Sequence, residues 1–495
     1  MSLATDELLT NAFATLAQNP ADAGMLRQIG EHFFAREQWP LAASYLEASA
    51  MLIPTPELDI LRGHTAIRRM DYDLAEHCYA RVLRWQPDHI IARAGLANCH
   101  YFKGQWTVAA AIYESLRDTV PNHPDLHLYL GRTYRQLLRL AESVAEYRSA
   151  LALAATPEIY NELGWGLFEA GDADAADATY REALEKFPTN ATLRFAYGFF
   201  LLHVGRWAEG FALYEERWKS FDLGAHSPLI ELPMPNAPRW DGVAPLAGKT
   251  VIVFAEQGAG DLFMFIRYAR ELAALGAVVE VLTPSATTAV IQTVPWIHAV
   301  RDEHSVLPTY DYYVPLMSCP LYFGLTPQTI PAVDTPYIEA PYKQPRFSEK
   351  PTIGLVWAGN PRYDFEFYRS PGFEAMKPLI DAHPEYCFVA LQVGPAAAQA
   401  AEYIAAGKLI DGAATIRNYG DTAAILTAMD SLITSCTSVA HLGGAMGVNT
   451  HLMLSACPDW RWLREGTNTA WYPSVTLHRQ ETLGDWAPVI AKLSR

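Results

Sequence analysis

Three stretches of the chain place side chains that can do chemistry. Thr437-Ser438-Val439-Ala440-His441 follows the short apolar run Ser431-Leu432-Ile433-Thr434 and leads into Leu442-Gly443-Gly444-Ala445-Met446-Gly447. A buried strand that ends in hydroxyls and turns straight into a helix presents free backbone N–H groups at a positive dipole end, a natural seat for phosphate. The bland alternative is a helix cap and nothing more. Glu256-Gln257-Gly258-Ala259-Gly260-Asp261 closes a β-branched run with a glycine turn and sets a carboxylate at the start of the next helix. That carboxylate can accept a proton from a substrate hydroxyl, or cap the helix, or both. The third stretch carries Trp357, Gly359 and Asn360, then Arg369, whose guanidinium fork suits phosphate oxygens. Arg369 as a surface ion pair and His441 as a buried structural histidine are the competing readings.

Other motifs exclude chemistry. Asp71-Tyr72-Asp73 and Asp172-Ala173-Asp174 have the spacing of a metal signature but fall in turns, where they read as solvated turn residues. No metal and no cofactor is therefore expected. The six cysteines (78, 99, 319, 387, 436 and 457) form no CxxC pair, which points to reduced thiols rather than disulfides or zinc. Cys436 at the strand end reads as a small buried residue rather than a nucleophile. A net charge of −16 argues against a nucleic-acid surface, so any phosphate site must be local and built largely of backbone. No apolar run approaches the ~18 residues of a membrane span. The first residues lack the basic and apolar regions of a signal peptide, so a cytoplasmic protein is expected.

Half of the residues are hydrophobic, enough for sizeable cores, and 495 residues suggest about three domains at ~150 residues each. Residues 1–220 repeat. A small residue recurs at Gly30, Gly63, Ala97, Gly131, Gly164 and Gly198, at intervals of 33 or 34. Another comes later in each unit, at Ala42, Ala75, Ala109, Ser143, Ala176 and Gly210. Four residues further on stand Leu46, Tyr79, Tyr113, Tyr147, Tyr180 and Tyr214. Each unit reads as a helix pair that crosses closely at its small residues, with the ring filling the groove between repeats. The spacing resembles the tetratricopeptide repeat (TPR), whose arrays are solenoids with a concave face for polypeptides. Self-association through the repeats is left open. The aromatic last unit, Gly205 to Trp218, reads as a cap that packs the array onto the next domain.

Residues 221–248 form a proline-rich connector with Pro228, Pro233, Pro235, Pro238 and Pro245. Residues 249–345 read as an α/β domain. Its strands lie at Thr250–Ala255, Val278–Leu282, around Ala299-Val300 and at Tyr312–Leu316, and one helix runs through Phe265, Tyr268, Leu272 and Leu275. Residues 346–495 read as a second, with strands at Thr352–Trp357, Tyr386–Leu391, Ser431–Thr434 and Thr450–Leu454. In it a helix through Met376 and Ile380 and another capped by Asp421 or Thr422 are expected. A terminal helix, Trp486 to Leu493, is expected to pack back on the 249–345 domain. Ligands in this architecture bind at the carboxyl ends of the strands, so the Gly258–Asp261 and Thr437–His441 turns should face each other across a cleft. The fold class is an α-solenoid followed by a pair of α/β domains.

Glu256-Gln257-Gly258-x-Gly260-Asp261, Gly354-Leu355-Val356-Trp357-Ala358-Gly359-Asn360-Pro361, Arg369-Ser370 and Thr437-Ser438-Val439-Ala440-His441-Leu442 together resemble bacterial tetratricopeptide-repeat glycosyltransferases. Those proteins carry a GT-B pair of Rossmann-like domains similar to the heptosyltransferases. In architecture they also look like O-GlcNAc transferases and repeat-bearing flagellin glycosyltransferases. The resemblance implies an inverting, metal-independent transfer from a nucleotide-sugar donor to a Ser or Thr of a protein, flagellin among the acceptors, held on the repeats. It implies Asp261 as base and Arg369 as the charged group at the leaving phosphate. Gln257, Gly258, Gly260, Trp357, Asn360, Thr437, Ser438 and His441 would then line the nucleotide-sugar site. Two positions depart from heptosyltransferases: Cys436 stands where they have Asp, and Arg369 where they have Lys. A repeat scaffold with a binding-only or inactive domain pair is the main alternative, and a glycan- or lipid-directed transferase the other.

Overall fold

The computed structural model describes residues 2–220, 236–333 and 336–494, with side chains from Leu9 onward. The chain divides into two compact units, residues 1–180 and 181–495.

In the first unit helices pair as the repeat expects. Ala23–Ala35 packs with Trp39–Leu52, Pro56–Arg68 with Tyr72–Trp85, Ile90–Phe102 with Trp106–Thr119, and Pro124–Gln136 with Leu140–Leu153. The starts are written locally. Thr55 and Asp71 accept the N–H groups of Leu58 and Leu74, and Pro56, Pro124 and Pro157 occupy first-turn positions where no N–H is needed. The small-residue rule has a direct cause. A Cβ on Gly63 would meet the Tyr79 ring at 2.6 Å, and one on Gly131 or Gly164 would meet Tyr147 or Tyr180 at 2.6 and 2.7 Å. Each ring lies on the glycine of its own unit, and Tyr147 also reaches Gly166 of the next, so it fills the groove between repeats. The two Asp-x-Asp pairs sit at helix starts rather than in turns: Asp71 and Asp172 cap the Tyr72–Trp85 and Ala173–Lys186 helices, Asp73 and Asp174 lie in their first turns, and Asp73 pairs with Lys103.

In the second unit the last helix pair, Ala191–His203 and Trp207–Tyr214, continues into a 3₁₀ turn at Glu215–Trp218 and packs with the sheets. The reading that puts residues 1–220 in one domain thus differs from the compact units, and the aromatic side chains explain why. Trp207 stacks on Trp471 at 6.0 Å and meets Trp460 edge-on at 5.4 Å, while Phe211 meets Trp460 at 5.5 Å. Arg217 is clamped by Glu256 at 2.7 Å through both Nε and Nη2, and both side chains are buried. Pro228, Pro233 and Pro235 of the connector lie outside the described residues. From Pro238 the chain runs beside a strand, Tyr313 donating to the Pro238 carbonyl and Trp240 to that of Tyr313.

Two all-parallel sheets follow. The first joins β1 (Thr250–Phe254), β2 (Val278–Leu282), β3 (Ala299–Arg301) and β4 (Tyr312–Pro315) in the order β3-β2-β1-β4. The second joins β5 (Thr352–Val356), β6 (Cys387–Ala390), β7 (Ile410–Asp411), β8 (Ser431–Ser435), β9 (Thr450–Leu454) and β10 (Val475–Arg479) in the order β10-β9-β8-β5-β6-β7. In the second sheet the strand order reverses between β5 and β8, in the first between β1 and β4. Such reversals open a crevice at the carboxyl ends, where α/β sheets take their ligands.

Several boundaries differ from expectation. The helix after β1 is two helices, Ala259–Phe265 and Tyr268–Ala274, and Leu275 caps the second and is exposed. The break carries Arg267, fully buried, whose guanidinium donates to the carbonyls of Met264, Pro331 and Trp471. The Tyr419–Leu426 helix is capped by Asn418, not Asp421 or Thr422. Asn418 accepts from Gly420 and Asp421, and Asp421 closes the box back onto the Asn418 N–H. The terminal helix Ala487–Leu493 packs on Gly372–Ala382 and β10 of its own domain, not on residues 249–345. Trp486, Val489 and Ile490 join the core of Phe373, Met376 and Leu379, which the short link from β10 makes the nearest apolar surface.

Candidate functional site

β1 delivers the first group. After Phe254 the chain passes through buried Ala255 and Glu256 and turns at Gln257, which adopts a left-handed φ of 68°. A residue with a Cβ is strained there by about 1 kcal/mol. The Gln257 carboxamide donates to the Tyr214 hydroxyl at 2.5 Å, which ties the turn to the last repeat helix. Gly258 donates its N–H to Asp261 Oδ2 at 3.1 Å, so Asp261 does cap the helix start. Its other oxygen, Oδ1, accepts from Nη2 of Arg461, a residue on the 3₁₀ turn Trp460–Trp462. Arg461 Nη1 also reaches both oxygens of Asp459, at 2.8 and 3.0 Å, and its guanidinium lies 4.4 Å from the Trp460 ring centre. Burial raises the Asp261 pKa against the pull of Arg461. Burial would also raise Asp459, but Arg461 and His203 bring it below its ordinary range.

β8 delivers the second group. Thr437 is the extended N-cap of the Ser438–Ala445 helix, and no side chain caps it. Thr437 Oγ1 lies 3.4 Å from that of Thr434, and the Ser438 hydroxyl shares a 2.9 Å hydrogen bond with Tyr419. One turn on, His441 stacks on Trp462 at 5.0 Å and holds the Tyr472 hydroxyl at Nδ1, 3.1 Å away. Burial depresses its pKa to about 3, so the ring is neutral at pH 7. Cys436 is buried, its sulfur takes the Trp462 indole N–H at 3.1 Å, and burial pushes the thiol to about 11. It is a protonated packing residue at neutral pH.

The two groups touch. A Cβ on Gly260 would stand 3.3 Å from Ser438 Cα and 2.9 Å from His441 Cδ2. The two turns meet in direct contact at this point, where a cleft between them was expected.

β5 delivers the third group, and here the reading of Trp357 is corrected. Its side chain is fully buried, 4.8 Å from the Phe373 ring, with the indole N–H on the Ala396 carbonyl, so it belongs to the core and lines no site. The loop after it is shaped by Glu366, which accepts the Gly359 N–H at 2.6 Å and Arg369 Nε and Nη2 at 2.9 and 2.5 Å. Arg369 is thus in an ion pair, but a mostly buried one: its guanidinium lies 4.2 Å from the Tyr363 ring centre and close enough to Cys436 to bias its thiol. Asn360 is exposed in a turn, its side chain accepting from the Arg362 N–H.

The structure therefore sets Gly260 against Ser438 and His441, with Asp261 beside it on Gly258 and Arg461, Gln257 on Tyr214, Thr437 at the facing helix start, and Arg369 on the side of Cys436. Arg461 and Asp459 belong to the same cluster and are additions to the expected set. Their motif, Asp459-Trp460-Arg461-Trp462, is visible in the sequence, but nothing local shows that its arginine reaches Asp261.

The chain has recognisable relatives among known proteins. The tetratricopeptide repeat family matches residues 60–124, 100–158 and 161–221, so the helix pairs are TPR repeats. Protein FlbA of Caulobacter vibrioides is 23% identical over 478 residues, 87% of this chain and 76% of that protein. Among solved structures, a thermophilic TPR protein of Thermus thermophilus is 23% identical and covers 36% of this chain and 99% of its own, with a TM-score of 0.33. MamA from Desulfovibrio magneticus RS-1, from residue 41 to its end, is 20% identical and covers 34% of this chain and 96% of its own, with a TM-score of 0.32. Among the described residues no helix is long and apolar enough to cross a membrane.

Proposed function

We propose that the chain is a TPR-bearing glycosyltransferase of the GT-B type, which moves a sugar from a nucleotide-sugar donor to a Ser or Thr hydroxyl of a protein held by the repeats. The observation that carries this reading is the meeting of the Gly258–Asp261 turn with the Ser438–Ala445 helix start at the carboxyl ends of two parallel sheets. In the proposed step the acceptor oxygen forms a bond to the anomeric carbon as the bond from that carbon to the donor phosphate breaks. The nucleoside diphosphate leaves with the electron pair, and Asp261 takes the hydroxyl proton and later releases it to solvent. The helix N–H groups at Ser438 and the Arg369 guanidinium would stabilise the charge that grows on the leaving phosphate. His441 is neutral and held between Trp462 and Tyr472, which suits contact with the nucleotide rather than proton transfer. A single displacement inverts the anomeric centre, and neither a metal nor a cofactor is invoked. Flagellin is the acceptor that the sequence resemblance favours.

A second reading, a TPR protein-interaction scaffold whose sheet domains only bind, draws on one observation: Asp261 is already engaged by Arg461. Thermal unfolding against UDP-, GDP-, ADP- and CMP-sugars separates the two. A donor that binds the folded state raises the melting temperature. The transferase reading expects one nucleotide class to do so, and Asp261→Asn to keep that response while losing transfer. No response to any donor contradicts it.

A further inference from the structure

The arginine on Asp261 is buried and held at both terminal nitrogens, while its Nε has no hydrogen-bond partner among the described residues. Asp459 takes Arg461 Nη1 on both its oxygens and also accepts the Arg461 backbone N–H at 3.0 Å. The Arg461 carbonyl accepts the Trp471 indole N–H at 2.7 Å, and the guanidinium lies over Trp460. That leaves Nη2 aimed at Asp261 Oδ1, while the Gly258 N–H holds Oδ2. Each carboxylate oxygen has one partner and keeps further lone-pair capacity. The two aspartates straddle one guanidinium in unequal settings. Asp459 is the chelating counter-ion, whereas Asp261 makes a single contact with the guanidinium, and the adjacent Gly260 lies against Ser438 and His441. Five other ionisable groups face this cluster: Tyr214, whose charge Asp261 opposes, and His203, which faces Asp459, both from the last repeat pair, and Tyr363, Cys436 and His441, each of which senses both Arg461 and Asp459.

We propose that Arg461, clamped by Asp459, is the positioning residue for Asp261, fixing the direction in which that carboxylate presents its unused lone pairs to the acceptor hydroxyl. The assignment rests on the transferase reading. Arg461 and Asp459 act through Asp261 and need not touch the substrate.

The test is the pH profile of transfer by the full chain and by Arg461→Met, Asp459→Asn and Arg461→Lys, each first shown by thermal unfolding to be folded. An adjacent cation favours the charged carboxylate and an adjacent anion disfavours it, by about one to three pH units at short range. Arg461→Met should therefore move the acid limb of kcat/KM to higher pH, and Asp459→Asn should move it to lower pH. Both should lower kcat more than they alter the donor KM. Arg461→Lys keeps the charge but loses the fork, so its limb should stay near that of the wild type with a reduced kcat. A structural role alone lowers melting temperature or yield and leaves the limb in place. Unmoved limbs in folded Arg461→Met and Asp459→Asn, with the wild type active, overturn the assignment. Absence of transfer by the wild type from any donor overturns the transferase reading, and the assignment with it.

Discussion

Gly260 has room for a hydrogen and nothing larger, because Ser438 Cα and the His441 ring occupy the place of a Cβ. Gly260→Ala should force the two turns apart, with a stability loss of about 1–3 kcal/mol from overpacking and a loss of donor response. Urea unfolding measures the first and the thermal-shift screen the second; a variant as stable and as responsive as the wild type would show that the contact is not needed. Gly359 stands in the path of Arg369 Nη2, so Gly359→Ala should leave folding nearly intact while displacing the guanidinium from Glu366. Its effect should appear as weaker donor binding at unchanged melting temperature in the absence of donor. At this scale the sequence was partly legible. Gly258, Gly260 and Asp261 stood out because a glycine turn between strand and helix has few other uses. Trp357 misled because a strand-end tryptophan carries no mark of which face it takes. Arg461 was hidden because its partner lies 200 residues away.

The last repeat pair shows how an element can belong by sequence to one unit and by packing to another. Its period matches the array, yet Trp207, Phe211 and Arg217 are spent on Trp460, Trp471 and Glu256. Arg217→Met would leave Glu256 buried without its counter-ion, at a cost of about 3–5 kcal/mol, readable in urea unfolding. Deleting residues 1–180 should leave a folded protein that still answers to a donor but no longer modifies a protein. Deleting residues 1–220 removes the same array plus the last pair, and should yield an aggregating chain, since it uncovers Trp460 and Trp471. Equal behaviour of the two truncations in thermal unfolding would show that the pair is dispensable. The repeats and the strands β1, β2, β5, β8 and β9 were legible because period and β-branched runs are local signals. The two-residue β7 and the polar-flanked β10 were not, since each gains its pairing from a neighbouring strand rather than from its own pattern.

Across the whole molecule, the buried histidines make stability depend on pH. Burial holds His441 at about 3 and His203 at about 4, whereas an unfolded histidine titrates near about 6.5. Between about pH 6.5 and 4 the unfolded chain therefore binds more protons, so stability is complete above that window and is lost as the pH falls through it. Each histidine contributes a slope of up to ~1.4 kcal/mol per pH unit. His203→Gln combined with His441→Gln should flatten the fall in melting temperature between pH 6.5 and 4.5, and an unchanged slope would show that neither titrates on unfolding. The central claim, that these repeats and this pair of sheets together glycosylate a protein, is tested most directly by the intact mass of a candidate acceptor such as flagellin co-expressed with the full chain. The account predicts a mass increment of one or more sugar residues with the wild type and none with Asp261→Asn. An unmodified acceptor beside the wild type, or the same increment beside Asp261→Asn, would contradict it.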